Sequence, residues 1–249
     1  MRLFFDPTTL QPDNTLTLSD EDHDYLTKVL RKREGDSLTL CDGRANDYPA
    51  TIQTIDKKRT TLTLEPPQPN PNEPATRVTL VAGIPKGSKI DTIIQKTVEL
   101  GVTELVFVQT TRSDVNKKDL DKPAKRERLH KIALAAAQQS QRGVVPTITL
   151  STFEQLVAQF TADTNPTKAG ILFYEAEAGN GIRSVLERTQ APSHVYLFTG
   201  PEGGLTTDEV ALATAAGIHT ASLGKRILRT ETAGIVGVGL VMYHLGEME

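Results

Sequence analysis

A proline-rich segment divides the sequence into two parts with different patterning. Residues 65–74 read EPPQPNPNEP and contain five prolines. Because proline lacks an amide donor and has a fixed φ, we expect this segment to stay outside sheets and helix interiors. It should form an extended, fairly stiff linker. We therefore predict two domains, residues 1–72 and residues 73–249.

Short runs before this segment alternate apolar and polar residues, which is the period of half-buried strands. One helix is predicted over residues 20–30, with Ser19 as its N-cap and with His23 in a surface or capping role. The pattern predicts a small β-barrel of about 70 residues. Its four predicted strands are residues 15–18, 36–42, 48–55 and 60–65.

Apolar runs after the segment alternate with helical patterns, which is typical of an α/β domain. Several runs are continuously apolar, as expected for a parallel sheet that is covered on both faces. One predicted helix follows Ser88 and ends at Gly101. The predicted strands are residues 77–84, 104–110, 145–150, 169–175, 195–199 and 219–224.

The composition excludes several classes of protein. The single cysteine, Cys41, excludes an internal disulfide framework and a cysteine-rich metal centre, and we expect it to be packed in its strand. The sequence has no run of about 18 apolar residues, and its start lacks the apolar core of a secretory signal. We expect a cytoplasmic protein that spans no membrane, and no metal site is readable.

Basic residues are concentrated in two regions, although the net charge of the chain is -3. From Arg112 to Arg142 there are nine Lys or Arg residues against four Asp or Glu residues, and residues 28–33 read KVLRKR. A basic surface favours nucleic-acid binding. The alternative, a solvated helix face, accounts for the charge equally well.

A glycine-rich loop follows the apolar strand VYLFT. Residues 199–204 read TGPEGG, and a helix begins after them at Thr206 or Thr207. Such a loop brings the backbone close to a ligand at a helix N-terminus. The sequence is not a P-loop, and GIVGVG at residues 234–239 has the wrong spacing for a dinucleotide fingerprint. Its glycines are expected to allow close helix packing.

A second glycine-bearing loop, SLGKRILRTETAG, occupies residues 222–234. Thr230 is its predicted N-cap for the last helix, and Glu231 lies in the first turn. Since the two loops follow successive strands, both can emerge at one edge of the sheet. The resulting cleft suits a flat heterocycle that is bound by backbone groups and apolar walls.

The two loops resemble the cofactor-binding motifs of the RsmE family of SPOUT methyltransferases. Further similar blocks are HDYLTKVLRKREGD, KGSKIDTIIQKTVELGV, TTRSDV and AAAQQSQRGVVP, so the resemblance covers the whole chain. Gln138 stands where the family pattern has glutamate. The resemblance implies a SPOUT-type α/β domain with a parallel sheet and a C-terminal trefoil knot, preceded by a PUA-like β-barrel. It also implies a homodimer that uses S-adenosylmethionine to methylate N3 of a uridine in 16S ribosomal RNA of the small ribosomal subunit.

The same resemblance implies roles for individual residues. Arg229 would stabilise negative charge on the uracil, and Glu202 or Glu231 would accept or orient the N3 proton. RNA contacts are expected from Lys28, Arg31 and Arg33 in the first domain and from Arg112 and Arg142 in the second. The implied cofactor-binding residues are Leu172, Phe173, Thr199, Gly200, Pro201, Gly203, Gly204, Leu223, Gly224, Ile227, Leu228 and Arg229.

Other interpretations of these residues stay open at this point. Arg229 and Glu231 could simply pair with each other or cap the final helix, and Glu202 could only fix the shape of its loop. At the level of function, the alternatives are a SPOUT enzyme that acts on another RNA, such as a tRNA ribose 2'-oxygen, and a non-catalytic RNA-binding assembly factor.

Overall fold

The computed structural model describes residues 2–188 and 191–248, which form two compact units. The first unit holds the chain up to Glu73 together with Ala137–Val145. The second holds Pro74–Ala136 and the chain from Pro146 onward. The sequence pattern did not predict that residues 137–145 belong with the first unit.

The first unit is built on one sheet, whose strands bury leucines at alternate positions. Leu16, Leu40 and Leu62 are at most 1% exposed and pack in one cluster. The strands are β1 (Arg2–Phe4), β2 (Thr15–Ser19), β3 (Ser37–Cys41), β4 (Asn46–Ile55), β5 (Arg59–Leu64) and β6 (Gln68–Pro69). Their order is β1-β3-β4-β5-β2, with β6 paired to β4, and only β1 and β3 run parallel among these pairs.

The predicted helix over residues 20–30 is present but irregular. It consists of α1 (Asp20–Asp24) followed by a π-helical turn at Tyr25–Val29. Ser19 occupies the N-cap position without a side-chain hydrogen bond to the helix, since its hydroxyl bonds to the Asp20 carboxylate instead. The surface position expected for His23 is wrong, because this side chain is buried and lies 2.9 Å from the Thr60 hydroxyl.

Cys41 is fully buried at the end of β3, as its strand position predicted. Its Sγ donates a hydrogen bond to Asp47 Oδ1 at 3.2 Å. Burial, together with the adjacent Asp47 carboxylate, raises the pKa of the thiol. Because the thiolate is the reactive form, Cys41 is a packing residue and not a nucleophile.

The proline-rich segment was wrongly expected to stay outside every sheet. Gln68 and Pro69 form β6, which pairs with Asp47 and Asn46 of β4. Pro69 is tolerated because a two-residue strand at the side of a ladder does not need every amide donor. The Asn70 amide then donates to the Ala45 carbonyl at 2.8 Å, which holds the end of the segment.

Residues 137–145 are tied to the first unit by Glu73. Its carboxylate accepts hydrogen bonds from the amides of Gly143 and Val144 at 2.8 and 3.0 Å, and it forms an ion pair with Arg142 at 2.8 Å. Arg142 is 2% exposed. The prediction that Arg142 contacts RNA is therefore wrong, since a buried guanidinium in an ion pair cannot reach a phosphate.

The second unit is an α/β domain with the expected alternation of strands and helices. Its strands are β7 (Arg77–Gly83), β8 (Glu104–Gln109), β9 (Thr147–Thr152), β10 (Lys168–Phe173), β11 (His194–Thr199) and β12 (His219–Ala221). The helices that follow β6 along the chain are α2 (Lys89–Glu99), α3 (Lys117–Leu120), α4 (Pro123–Gln139), α5 (Phe153–Ala162), α6 (Ile182–Arg188), α7 (Thr207–Ala215) and α8 (Thr230–His244).

All six strands of this unit are parallel, in the order β12-β10-β11-β7-β8-β9. Every residue of β11 is buried, which explains its continuous apolar run. Phe153 and Phe160 of α5 pack edge-on against Phe198 and Tyr196 of this strand. Within the described residues, none of the helices combines the length and hydrophobicity that a membrane crossing requires.

Candidate cofactor-binding and active site

Three neighbouring strands end at one edge of the parallel sheet. β10 lies between β12 and β11, and the two glycine-bearing loops leave β11 at Thr199 and β12 at Ala221. The carboxyl ends of parallel strands are the usual place for ligands in an open α/β sheet. The predicted placement of both loops at one sheet edge is therefore confirmed.

The first loop, residues 200–206, is held by contacts from outside the loop. A Cβ at Gly83 would lie 2.6 Å from the Pro201 Cδ and 2.9 Å from the Gly200 carbonyl carbon, so only glycine lets the loop approach β7. Arg112 Nη1 donates to the carbonyls of Gly203 and Leu205 at 3.2 and 3.4 Å. Arg112 thus supports the loop, and its predicted contact with RNA stays a prediction.

A capping box fixes the exit of this loop into α7. The Thr206 hydroxyl accepts from the Glu209 amide, and the Glu209 carboxylate accepts from the Thr206 amide at 2.8 Å. The other Glu209 oxygen accepts from the Thr111 amide at 2.8 Å. Burial alone would raise the pKa of Glu209, but these amide bonds outweigh it and the pKa is lowered. Thr206 is thereby the N-cap, one of the two predicted positions.

The second loop meets the first through Thr230. Its hydroxyl donates to the Gly200 carbonyl at 3.2 Å. The prediction of Thr230 as N-cap is wrong: Arg229 holds that position, with extended φ and ψ of -66° and 152°, and Thr230 is the first helical residue. Thr230 serves the other loop because its hydroxyl bonds across the cleft and not to amides of its own helix.

The two loops enclose a cavity of about 500 Å³, within the range of sites for small ligands. Leu172 does not line it, contrary to prediction, because successive strand residues face opposite sides and Leu172 lies in the core at 0% exposure. The other predicted cofactor residues all lie on its wall: Phe173, Thr199, Gly200, Pro201, Gly203, Gly204, Leu223, Gly224, Ile227, Leu228 and Arg229. Their contact with a cofactor stays a prediction.

Two features of the wall indicate a ligand. The buried Thr199 hydroxyl has no hydrogen-bond partner among the described residues, although it lies at the base of the loop. Buried polar groups are normally satisfied, so an unpaired hydroxyl beside a cavity is an unusual feature of this site. Ile227 is 87% exposed, which leaves a large apolar side chain free to cover such a molecule.

Lys89, at the start of α2, joins the predicted catalytic carboxylates. Its Nζ lies 2.7 Å from Glu202 Oε1 and 3.8 Å from Glu231 Oε2. Glu202 also accepts a hydrogen bond from the Lys86 amide at 3.0 Å. Burial would raise the pKa of Glu202, but the hydrogen bonds from Lys89 and from the Lys86 amide outweigh it and lower the pKa.

Arg229 and Glu231 do not form an ion pair within the described chain, so the pairing alternative is wrong, whereas Arg229 does hold the N-cap position of α8, without a capping bond from its side chain. The nearest cation to Glu231 is Lys89, and the Glu231 Oε2 atom is buried without a hydrogen bond to the described residues. Arg229 is exposed on the cavity wall. Of these two residues, Arg229 lines the cavity, whereas Glu231 does not.

Sequence reasoning missed several residues of this site. Lys89, Tyr174 and Glu175 line the cavity, and Gly83 supports it from below. Lys89 lies within the block KGSKIDTIIQKTVELGV, so the resemblance contained a signal for it. Tyr174 and Glu175 are the last two residues of the predicted strand 169–175 and follow the observed β10, and the ends of strands in α/β sheets often contact ligands.

The basic residues predicted in the first unit are at its surface. Lys28, Arg31 and Arg33 are all exposed, on the π-helical turn and the loop that follows it. Lys28 pairs with Asp24 at 2.7 Å, whereas Arg31 has a positive φ of 52° that turns the chain out of the helix. Their contact with RNA stays a prediction.

Comparison with known proteins identifies the family. A family model described as an RNA methyltransferase domain matches residues 71–242, and one described as an RNA methyltransferase PUA domain matches residues 18–65. The chain is 32% identical to ribosomal RNA small subunit methyltransferase E of Bacillus subtilis, over 97% of this chain and 96% of that protein. The chain belongs to the RsmE family. The predicted family membership is thereby confirmed.

Further members and solved structures agree with the assignment to the RsmE family. The Synechocystis protein of the same name is 34% identical over 91% of this chain and 72% of its own length. The crystal structure of ribosomal RNA small subunit methyltransferase E from Neisseria gonorrhoeae, bound to S-adenosyl methionine, superposes with a TM-score of 0.82 at 28% identity, covering 97% of this chain and 96% of that one. A mixed α/β fold with a parallel sheet and an N-terminal PUA domain is common to the family and this chain.

Proposed function

We propose that this protein transfers a methyl group from S-adenosylmethionine to N3 of a uridine in 16S ribosomal RNA, within the small ribosomal subunit. The observation that carries the proposal is the cavity between the two glycine-bearing loops, in a chain of the RsmE family. The related Neisseria gonorrhoeae enzyme binds S-adenosyl methionine in the same fold. The names of the relatives specify only small-subunit ribosomal RNA as the substrate. The N3 position and the assembled subunit as substrate are therefore part of our proposal.

The cavity fits the cofactor chemically. The glycine-rich backbone of the first loop lets a flat heterocycle approach closely, and Thr199 at its base also lines the cavity. Phe173 and Ile227 supply apolar walls. When bound, S-adenosylmethionine supplies an electrophilic methyl group on a sulfonium. The chain would contribute mainly by holding the reacting atoms in line.

The charged residues of the site divide the remaining work. Removal of the N3 proton leaves negative charge on the uracil oxygens, and the guanidinium of Arg229, which lines the cavity, would stabilise this charge. Glu231, with one buried oxygen that lacks a hydrogen bond in the described chain, is our candidate to accept or orient the proton. Glu202 is less suited, because one of its oxygens already accepts two hydrogen bonds that lower its pKa.

Substrate binding and assembly complete the proposal. Lys28, Arg31 and Arg33 would hold RNA phosphates on the first unit. The homodimer is supported by α8, where Val236, Leu240 and Tyr243 recur on one helix face at 36%, 38% and 66% exposure. A trefoil knot in the second unit is carried over from the family, a cytoplasmic location is proposed from the composition with its single cysteine, and no metal is assigned to the reaction.

Transfer of a labelled methyl group tests the function. The protein is given labelled S-adenosylmethionine with naked ribosomal RNA or with small subunits from a strain that lacks the modification, followed by nucleoside analysis. Label in 3-methyluridine from subunits is expected, and Gly203→Val serves as the inactive control. Label in a ribose-methylated nucleoside would point to the alternative SPOUT activity. Cofactor binding without any label would direct the search to other RNAs, and failure to bind the cofactor in calorimetry would favour a non-catalytic assembly factor.

A further inference from the structure

Lys89 occupies a position that helix stability does not explain. It is the first residue of α2, where the helix dipole disfavours a cation. Its side chain is 33% exposed and turns into the cavity wall. Its contacts with two carboxylates, one from each of two other elements, offset the cost of a cation at this helix end.

Those contacts connect three elements of the site. Lys89 Nζ lies 2.7 Å from Glu202 Oε1 in the first loop and 3.8 Å from Glu231 Oε2 in the first turn of α8. The amide of Lys86, just before α2, donates to the same Glu202 oxygen at 3.0 Å. Glu202 therefore has two interactions with this region, an ion pair with Lys89 in α2 and a hydrogen bond from the Lys86 backbone amide just before α2. These interactions fix the first loop at Glu202.

We propose that Lys89 is a positioning residue: through Glu202 it holds the first glycine loop in the shape that binds the cofactor, and it sets the distance between this loop and Glu231. The effect of Lys89 on methyl transfer rests on the proposed function. The geometry itself, a cation between the carboxylates of the two cofactor loops, does not depend on which RNA is methylated.

The charges around Glu202 come from each neighbouring element. Lys89 and the Lys86 amide approach from α2, and Glu231 approaches Lys89 from α8. The Lys86 ammonium forms an ion pair with Asp114 at 2.8 Å, which raises its pKa, and Glu202 contributes a smaller effect in the same direction. Loss of Lys89 would thus leave Glu202 with the hydrogen bond from the Lys86 backbone amide and without a direct ion pair.

Calorimetry of cofactor binding against pH tests the positioning role. In Lys89→Met we expect an about tenfold weaker S-adenosylmethionine affinity at neutral pH, because the binding-competent loop is then populated about a tenth of the time. The acidic decline of affinity should also begin at a higher pH, since Glu202 loses the cation that lowers its pKa. Lys89→Arg should retain most of both properties.

The matched control is Lys96→Met, which removes a cation from the same helix. Lys96 pairs with Glu99 at 2.9 Å, away from the cavity wall, so affinity and its pH dependence should match the unmodified protein. In a Glu202→Gln background, Lys89→Met should cause little further loss of cofactor affinity, because each substitution alone already breaks the Lys89–Glu202 ion pair. Additive losses, or a weakened affinity with an unmoved acidic decline, would overturn the positioning role.

One readout is independent of the cofactor and of methyl transfer. The Glu202 carboxyl carbon, followed by carbon-13 NMR and assigned with Glu202→Gln, should titrate at higher pH in Lys89→Met than in the unmodified protein. An unchanged titration midpoint of Glu202 in Lys89→Met would refute the positioning role even if the protein methylates uridine. A moved titration in a protein that does not methylate uridine would sink only the proposed function. Lys89→Gln gives the same test if Lys89→Met does not fold.

Discussion

Replacement of Gly237 by alanine should reveal how tightly α8 and the cofactor cavity are packed together. A Cβ at this position would lie 2.8 Å from the Phe173 Cζ and closer still to Cε2. Phe173 has its ring between α8 and the cavity wall. Ordinary contact begins near 3.4 Å, so the ring must retreat by about 1.2 Å at Cε2, and the cavity that Phe173 lines is the open direction.

The expected cost follows from two opposing effects. Overpacking of this kind destabilises by about 1–3 kcal/mol. Alanine at an interior helix position recovers about 1 kcal/mol relative to glycine. Gly234→Ala on the same helix is the matched control, because its Cβ would lie 3.4 Å from a flexible Leu80 methyl. The helix propensities cancel between the two variants, so Gly237→Ala should be less stable than Gly234→Ala by about 1–3 kcal/mol.

Two measurements check this prediction. Differential scanning calorimetry should show a lower unfolding midpoint for Gly237→Ala, by about 2–4 °C for each kcal/mol. Titration calorimetry should show S-adenosylmethionine affinity reduced about tenfold, which corresponds to about 1.4 kcal/mol. Equal stability of the two variants would refute the close approach of α8 to Phe173. Lower stability with unchanged affinity would instead show that Phe173 is not a wall of the cofactor site.

The remaining predictions concern separate parts of the molecule. Arg229→Ala should lower turnover at least about tenfold with little change in cofactor affinity; unchanged turnover in the labelled-methyl assay would remove it from the mechanism. Gly203→Val should abolish cofactor binding in calorimetry, because its Cβ would lie 3.0 Å from the Arg112 carbonyl; normal binding would contradict the loop geometry. Arg31→Ala should weaken RNA binding and reduce its salt dependence by about one phosphate contact; an unchanged salt slope would make Arg31 structural. Glu209→Gln should lower the stability of the protein at neutral pH. Because the folded-state pKa of Glu209 is lowered, this difference should be full at neutral pH, decline once the pH falls below the ordinary pKa of a glutamate, and vanish below the folded-state pKa; a difference that persists in strongly acid unfolding curves would exclude the carboxylate as its source.

The alternation of strands and helices was predictable because periodicity reports burial directly. The apolar run of β11 gave both its position and its burial on two faces. Thr206 was predictable as a cap because the glutamate of its capping box, Glu209, lies three residues further along the sequence. The family motifs placed eleven cofactor candidates on one cavity wall, since the loops that carry them are local in sequence.

The errors share a different cause, which is dependence on partners distant in sequence. From the sequence alone Arg142 was predicted to be a surface cation, because its ion-pair partner, Glu73, is distant in the sequence. Thr230 was predicted to be an N-cap, but its hydroxyl donates to the Gly200 carbonyl, which is 30 positions away in the sequence. β6 is predictable only from β4, because a two-residue strand has no period of its own. Lys89 was missed for the same reason, since its two carboxylates lie 113 and 142 positions away in the sequence.

These distant contacts explain how glycine-rich loops can form a defined site. Glycine gives the backbone access to a ligand but also gives the unbound loop many conformations. Here Gly83 lets Pro201 pack on β7, Thr230 holds the Gly200 carbonyl, and Glu202 is fixed from α2. Binding then does not have to supply the full conformational entropy of ordering the loop. It follows that residues outside the cavity, Gly83 above all, should affect cofactor affinity as strongly as the residues that line it.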